Sequence, residues 1–197
     1  MTVFKTSIKP GDLFKNLPVI ETERLRLRKL SLRDAGDVFE YASDPEVSKT
    51  VSWEAHRTIA DSLSFLRQIN FQYEKGFPSP WAVVLKETHK MIGTVGYHWW
   101  SLENAKSEVG YVISRLYWNK GYMTEALKEV LGFGFEQMKL ERIEARCLVE
   151  NFSSERVMQK CGMKLEGILR NSLFVKGEYR NFKIYSILRN EYYNTRE

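Results

Sequence analysis

A strand-like run, Glu108-Val109-Gly110-Tyr111-Val112-Ile113, gives way within a few residues to a helical stretch at 124–138. Nothing else in the chain constrains its fold as much. A strand that stops, turns tightly and feeds a helix leaves several backbone N–H groups unpaired and aimed into one hollow. Phosphate oxygens suit such a hollow, and the helix dipole favours an anion there. An ordinary strand–loop–helix connection has the same local pattern, so the run alone leaves both readings open.

The flanking sequence supplies the remaining elements. Charge and leucine alternate over 23–29, the pattern of a half-buried strand. Ser31-Leu32-Arg33-Asp34 has the form of a capping box with aspartate in the glutamate position; it predicts a helix through Tyr41, with Pro45 ending the segment. Thr58 caps a longer helix whose apolar stripe is Ile59, Leu63, Leu66, Ile69 and Tyr73, closed by Gly76. Residues 81–86 and 91–100 read as strands around the polar turn Glu87-Thr88-His89-Lys90, with a third at 105–114. After a helix at 120–138 come a strand near 142–149 and a short helix at 153–161 stopped by Gly162. Two strands follow, at 164–175 and 179–188, hinged on Lys176-Gly177-Glu178. The expectation is one α/β (α+β) domain on a mixed sheet, residues 21–190, with an arm at 1–20 and a tail at 191–197.

Bulk properties narrow the function. A chain of 197 residues can bury one substantial core. Its net charge of +5 comes from dispersed basic residues with no long run, which argues against nucleic-acid binding without a recognisable module. Cys147 and Cys161, with His56, His89 and His98, lack metal-site spacing, so no metal is expected and the thiols are expected reduced. Residues 1–15 mix charges with apolar residues, unlike a signal peptide. No stretch approaches the ~20 apolar residues of a membrane span. The expected setting is cytoplasmic.

With these elements in order, five blocks resemble the GNAT superfamily of acetyl-coenzyme A-dependent N-acetyltransferases, most nearly its RimJ/RimL branch, which acetylates the N-terminal α-amine of ribosomal proteins. The first is Glu21-Thr22-Glu23-Arg24-Leu25-Arg26-Leu27-Arg28, and the second Glu108-Val109-Gly110-Tyr111. The third is Lys120-Gly121-Tyr122-Met123-Thr124-Glu125-Ala126-Leu127. The fourth is Asn151-Phe152-Ser153-Ser154-Glu155-Arg156-Val157, ending Lys160-Cys161-Gly162-Met163. The last is Glu166-Gly167-Ile168-Leu169-Arg170 with Gly177-Glu178-Tyr179-Arg180-Asn181. Two departures stand out. The superfamily loop pattern Gln/Arg-x-x-Gly-x-Gly/Ala reads Leu116-Tyr117-Trp118-Asn119-Lys120-Gly121, with Asn119 for the first glycine and Leu116 for the basic or amide residue. Asparagine tolerates a left-handed backbone better than other non-glycine residues, so the turn survives. Asn181 stands where related chains often carry aspartate, which removes one carboxylate from the possible bases.

The resemblance implies a GNAT fold: a mixed, mostly antiparallel central sheet splayed between its fourth and fifth strands and flanked by helices. It implies acetyl-coenzyme A as cosubstrate. The pantetheine amides would pair along Val112, Ile113 and Ser114, and the pyrophosphate would sit over Asn119, Lys120, Gly121, Tyr122, Met123 and Thr124. A side chain at 121 would point into that anion site. Asn151 either contacts the cofactor or shapes a turn. Ser154 is the candidate general acid as well as a cofactor contact, against a purely first-turn role. Glu108 is the candidate for orienting the amine or acting as a base through water, against a solvated carboxylate. Trp53, His98 and Tyr111 are candidates for the acceptor pocket, and Glu125 complements the helix dipole. The expected acceptor is the N-terminal amine of a protein or peptide, a ribosomal protein included. The alternatives are a small-molecule amine, such as a polyamine or aminoglycoside, and a non-catalytic coenzyme A-binding module. An exposed edge with apolar surface would support a homodimer.

Overall fold

Helical spacing of Ala126, Leu127, Val130, Leu131 and Phe135 lays one side of α5 (Tyr122–Glu136) against β4 (Met91–Ser101), at the centre of the core. The computed structural model describes residues 10–194. Across β4 the two faces carry different helices. Tyr97 donates from its hydroxyl to the Val130 carbonyl of α5 at 2.7 Å. Thr94, on the opposite face, hydrogen-bonds Tyr41 of α2 (Ala35–Ala42).

The sheet has eight strands among the described residues. They are β1 (Ile20–Glu21), β2 (Leu25–Arg28), β3 (Pro80–Leu85), β4, β5 (Lys106–Ile113), β6 (Arg142–Leu148), β7 (Lys164–Val175) and β8 (Glu178–Leu188). Their order is β1-β2-β3-β4-β5-β6-β8-β7. Every neighbouring pair is antiparallel except β5 with β6. This is the mixed, mostly antiparallel sheet expected, with the two-residue β1 added at one edge.

Three local readings change. Within the segment read as an arm, α1 (Pro10–Lys15) is docked: Phe14 is fully buried, edge-on to Tyr97, Trp100 and Phe133. Trp81 adds a hydrogen bond from its indole to the Pro18 carbonyl at 2.8 Å. Pro45 opens a short helix, α3 (Pro45–Ser48), as its first residue under an Asp44 cap, a position where its missing N–H costs nothing. On α4 (Ile59–Lys75) the Thr58 capping box and the left-handed Gly76 appear as expected. The buried stripe, however, is Ser62, Leu66, Ile69 and Tyr73, and Ile59 in the first turn is 45% exposed. Residues 1–9 and 195–197, parts of the expected arm and tail, lie outside the described residues; within the rest of that tail, Tyr192 is buried on α7 (Arg189–Asn194).

Candidate active site

β5 and β6 pair only from Lys106 to Val109 against Arg142 to Ala145. Beyond that point β5 follows β4 to Ile113, while β6 follows β8 through Arg146, Cys147 and Leu148. The sheet opens there into a wedge.

Register decides which backbone groups line it. The Ser114 amide donates to the Ile92 carbonyl at 2.8 Å. Antiparallel pairing alternates, so Val112 and Gly110 also turn their N–H and C=O toward β4. Tyr111 and Ile113 turn theirs toward the wedge. The Ile113 carbonyl accepts from the Trp118 indole at 2.9 Å, and the Ser114 carbonyl accepts from the Tyr117 amide at 3.0 Å. The groups left facing the wedge are the Tyr111 N–H and C=O and the Ile113 N–H. Of the strand residues expected to hold pantetheine, Val112 and Ser114 therefore have their backbone committed elsewhere, while Tyr111 turns its N–H and C=O to the wedge. The resemblance named a stretch of strand without its register, and the alternation follows only from the register.

The loop at the wide end has two left-handed residues, Asn119 (φ 60°) and Gly121 (φ 80°). Gly121 caps α5 with no side-chain acceptor, and Glu125 is the first residue to bond back, to the Gly121 carbonyl at 3.0 Å. The amides of Tyr122, Met123 and Thr124 thus emerge at the helix start. A Cβ at 121 would meet only an Arg24 guanidinium nitrogen, at 3.5 Å. Backbone conformation is what selects glycine there. Met123 contributes only backbone, since its side chain is buried in the core.

A strut that sequence reasoning missed holds this loop. The Glu125 carboxylate accepts from the Thr22 hydroxyl at 2.5 Å, the Arg24 amide at 2.9 Å and the Arg24 Nε at 2.7 Å. Arg24 also donates to the Lys120 carbonyl at 3.0 Å and lies over the Tyr122 ring at 4.5 Å. Burial pushes the Glu125 pKa up, but hydrogen bonds from Thr22 and Arg24 outweigh it and hold it below the usual range. Glu125 therefore ties the turn between β1 and β2 to the loop, beyond complementing the dipole. Its one sequence signal is a carboxylate in the first helical turn, which dipole chemistry already explains.

Across the wedge stands α6 (Phe152–Lys160). Asn151 is its N-cap, accepting from the Ser154 amide at 3.0 Å through its side-chain oxygen. Tyr111 crosses to this helix: its hydroxyl lies 2.9 Å from both the Ser154 carbonyl and Ser154 Oγ. Burial raises the Tyr111 pKa, opposed by Ser154, so the phenol stays protonated. Tyr111 was expected in the acceptor pocket; its side chain instead belongs to the α6 side of the sheet, because it alternates with Gly110 and Val112. Cys147 and Cys161 are both free and buried, and burial pushes the Cys147 thiol up to about 11.

The opposite face of β5 carries Glu108. Its carboxylate is ion-paired with Arg146 at 3.2 Å, accepts from the Trp99 indole at 3.3 Å, and lies 4.0 Å from His98 Nδ1. His98 occupies a β-bulge, because Tyr97 opposes Val109 and Trp99 opposes Glu108. Trp53, on the loop after α3, packs beside His56 with ring centroids 5.6 Å apart and against the core. The turn between β7 and β8 reaches back over this side, with Lys176 donating to the Ser48 carbonyl of α3. Asn181 supports the irregular part of β7 by accepting from the Asn171 amide at 2.7 Å.

Unpaired strand groups and the open end of a 15-residue helix, meeting at one wedge, are what an acyl-carrying diphosphate needs. The acetyltransferase (GNAT) domain model matches residues 24–164, and the chain belongs to that family. Its relatives include the uncharacterized N-acetyltransferase p20 of Bacillus licheniformis, 33% identical over 89% of this chain and 99% of that one. A GNAT-family acetyltransferase structure from Bacillus anthracis superposes with a TM-score of 0.78 at 33% identity, covering 88% of this chain and 99% of its own. The RimL ribosomal L7/L12 alpha-N-protein acetyltransferase, solved with coenzyme A, shares the fold at 15% identity, with a TM-score of 0.77 over 87% of this chain and 98% of its own. The chain is thus a GNAT N-acetyltransferase.

Proposed function

We propose that this enzyme binds acetyl-coenzyme A along the wedge and transfers its acetyl group to the N-terminal α-amine of a protein or peptide. The single observation behind the cofactor reading is that the free edge of Tyr111 and Ile113 and the open amides of Tyr122 to Thr124 flank one gap. These groups fit the cofactor: strand edges pair amides as an added strand does, and helix starts attract diphosphate. A ribosomal protein is the acceptor that the name of RimL suggests.

The thioester supplies an activated acetyl group for direct attack by an amine. The chain must admit a neutral amine, stabilise the oxyanion and protonate the departing thiolate. An N-terminal amine, with pKa about 8, is roughly one-fifth neutral at about pH 7.4, against about one part in a thousand for lysine near 10.4. An α-amine therefore asks little of a base. Ser154 is the acid in this reading. With Tyr111 donating to the Ser154 carbonyl, the Ser154 hydroxyl proton can point toward Tyr111, toward the Cys147 sulfur or toward a thiolate in the wedge. Glu108 holds negative charge on the acceptor side, and Arg146 fixes its orientation.

Mass spectrometry with isotopically labelled acetyl-coenzyme A tests the acceptor, against peptides beginning Ser, Ala or Met and against polyamines and free lysine. Label on peptide α-amines is expected. Label on polyamines alone would move the substrate class to small metabolites.

A further inference from the structure

We infer that His98 takes the proton from the attacking nitrogen, a catalytic role beyond lining the acceptor pocket; the inference rests on the acetyl-transfer reading above. The bulge leaves His98 without a partner on β5 and turns its ring over Gly110, the first residue of β5 beyond the pairing with β6. A Cβ at 110 would fall 2.2 Å from His98 Cε1 and 2.3 Å from Nε2, so a bare backbone at 110 is what admits the ring. The imidazole stands at the mouth of the wedge, on the face opposite Ser154. Its side chain is 62% exposed, so a substrate can reach the ring.

The surrounding charges suit a neutral base. Glu108 and Lys106 approach from β5, Lys106 lying over the Trp99 ring at 5.8 Å. Arg146 comes from β6 and is paired with Glu108; Glu144, also on β6, is held by Arg142 at 2.8 Å. Nearby protein lowers the His98 pKa from its usual 6.5, and Glu108 opposes the shift. Glu108 is already engaged by Arg146 and Trp99, which suits it to stabilising an imidazolium rather than to leaving as the base.

In the step, the nitrogen lone pair forms the C–N bond as the carbonyl π pair moves to oxygen, and collapse of that oxyanion then expels the C–S electron pair with sulfur. The nitrogen becomes more acidic as it bonds to carbon, so a weak base suffices. Its proton moves to imidazole and then to water, and the thiolate gains a proton on the Ser154 side.

Two measurements on the full chain decide this. An NMR titration of the His98 Cε1–H should give a pKa below 6.5 in the wild type, lower still in Glu108→Gln. The pH profile of kcat/KM should carry an acid limb at that same value. His98→Gln should abolish the limb and cost about 10²-fold in kcat, with calorimetric acetyl-coenzyme A affinity unchanged. A His98 that titrates above about 7.5, or a His98→Gln enzyme with wild-type kcat and the same acid limb, overturns the inference. Should peptides fail as acceptors, the profile is run with whichever amine is turned over. That failure counts against the acceptor reading alone, and the acid limb and the His98→Gln loss are then read with that amine.

Discussion

Glu125→Ala removes the acceptor for three donors that anchor the cofactor loop to the start of the sheet. The Thr22 hydroxyl and the Arg24 amide lose part-buried and exposed hydrogen bonds, together contributing about 1–2 kcal/mol. The Arg24 guanidinium is 42% exposed and recovers water, so its ion pair adds only about 0.5–1 kcal/mol. The sum, about 1.5–3 kcal/mol, corresponds to a Tm lower by roughly 3–12 °C in a protein of this size. Thermal and urea unfolding measure the loss; calorimetry with coenzyme A measures what the loop loses beyond it. Affinity should fall at least tenfold at a temperature where the variant is still fully folded, because Arg24 no longer fixes the Lys120 carbonyl beside Gly121. The pH dependence has a definite sign. The folded-state pKa of Glu125 is depressed, so its stabilisation is present above about pH 4.5 and is lost as pH falls through the lower folded value. The difference between wild type and variant should therefore shrink in acid. A variant with wild-type Tm and coenzyme A affinity would refute the strut.

Asn119 sits at φ 60°, so Asn119→Gly should leave stability within about 0.5 kcal/mol and Asn119→Val should cost about 1–2 kcal/mol by urea denaturation. Ser154→Ala should lower kcat by about 10²-fold with little change in KM for acetyl-coenzyme A, read in steady-state kinetics. Tyr111→Phe keeps the ring but removes the hydroxyl that meets Ser154, so its loss of stability should be near 1 kcal/mol, measured by the same denaturation. Gly110→Ala puts a methyl group 2.2 Å from the His98 ring and should reproduce the kinetic loss of His98→Gln at near-wild-type coenzyme A affinity.

Much of this architecture was legible because local chemistry and tertiary demand agree. Thr58 and Gly76 mark α4 in sequence and in space, and Asn119 takes the left-handed turn that its amide side chain tolerates. The Glu108–Ile113 strand and the helix after it lie where the pattern put them. What escaped depends on pairing partners. Whether Tyr111 or Val112 offers its backbone to the wedge depends on the β4 register, which no single-strand pattern contains. Arg146 and Glu108 lie on different strands, and Arg24 and Glu125 are 101 residues apart, so neither pair leaves a local trace. Phe14 is one apolar residue in a segment punctuated by Pro10, Gly11 and Pro18; only the rings of Tyr97, Trp100 and Phe133 around it explain its burial.

Backbone amide NMR on addition of acetyl-coenzyme A addresses the wedge directly. Tyr111 and Ile113 should shift strongly and gain protection from exchange, together with Tyr122, Met123 and Thr124. Gly110, Val112 and Ser114, whose amides already face β4, should gain no comparable protection. Equal protection along the whole strand, or changes confined to another surface, would contradict a cofactor held at the parting of β5 and β6.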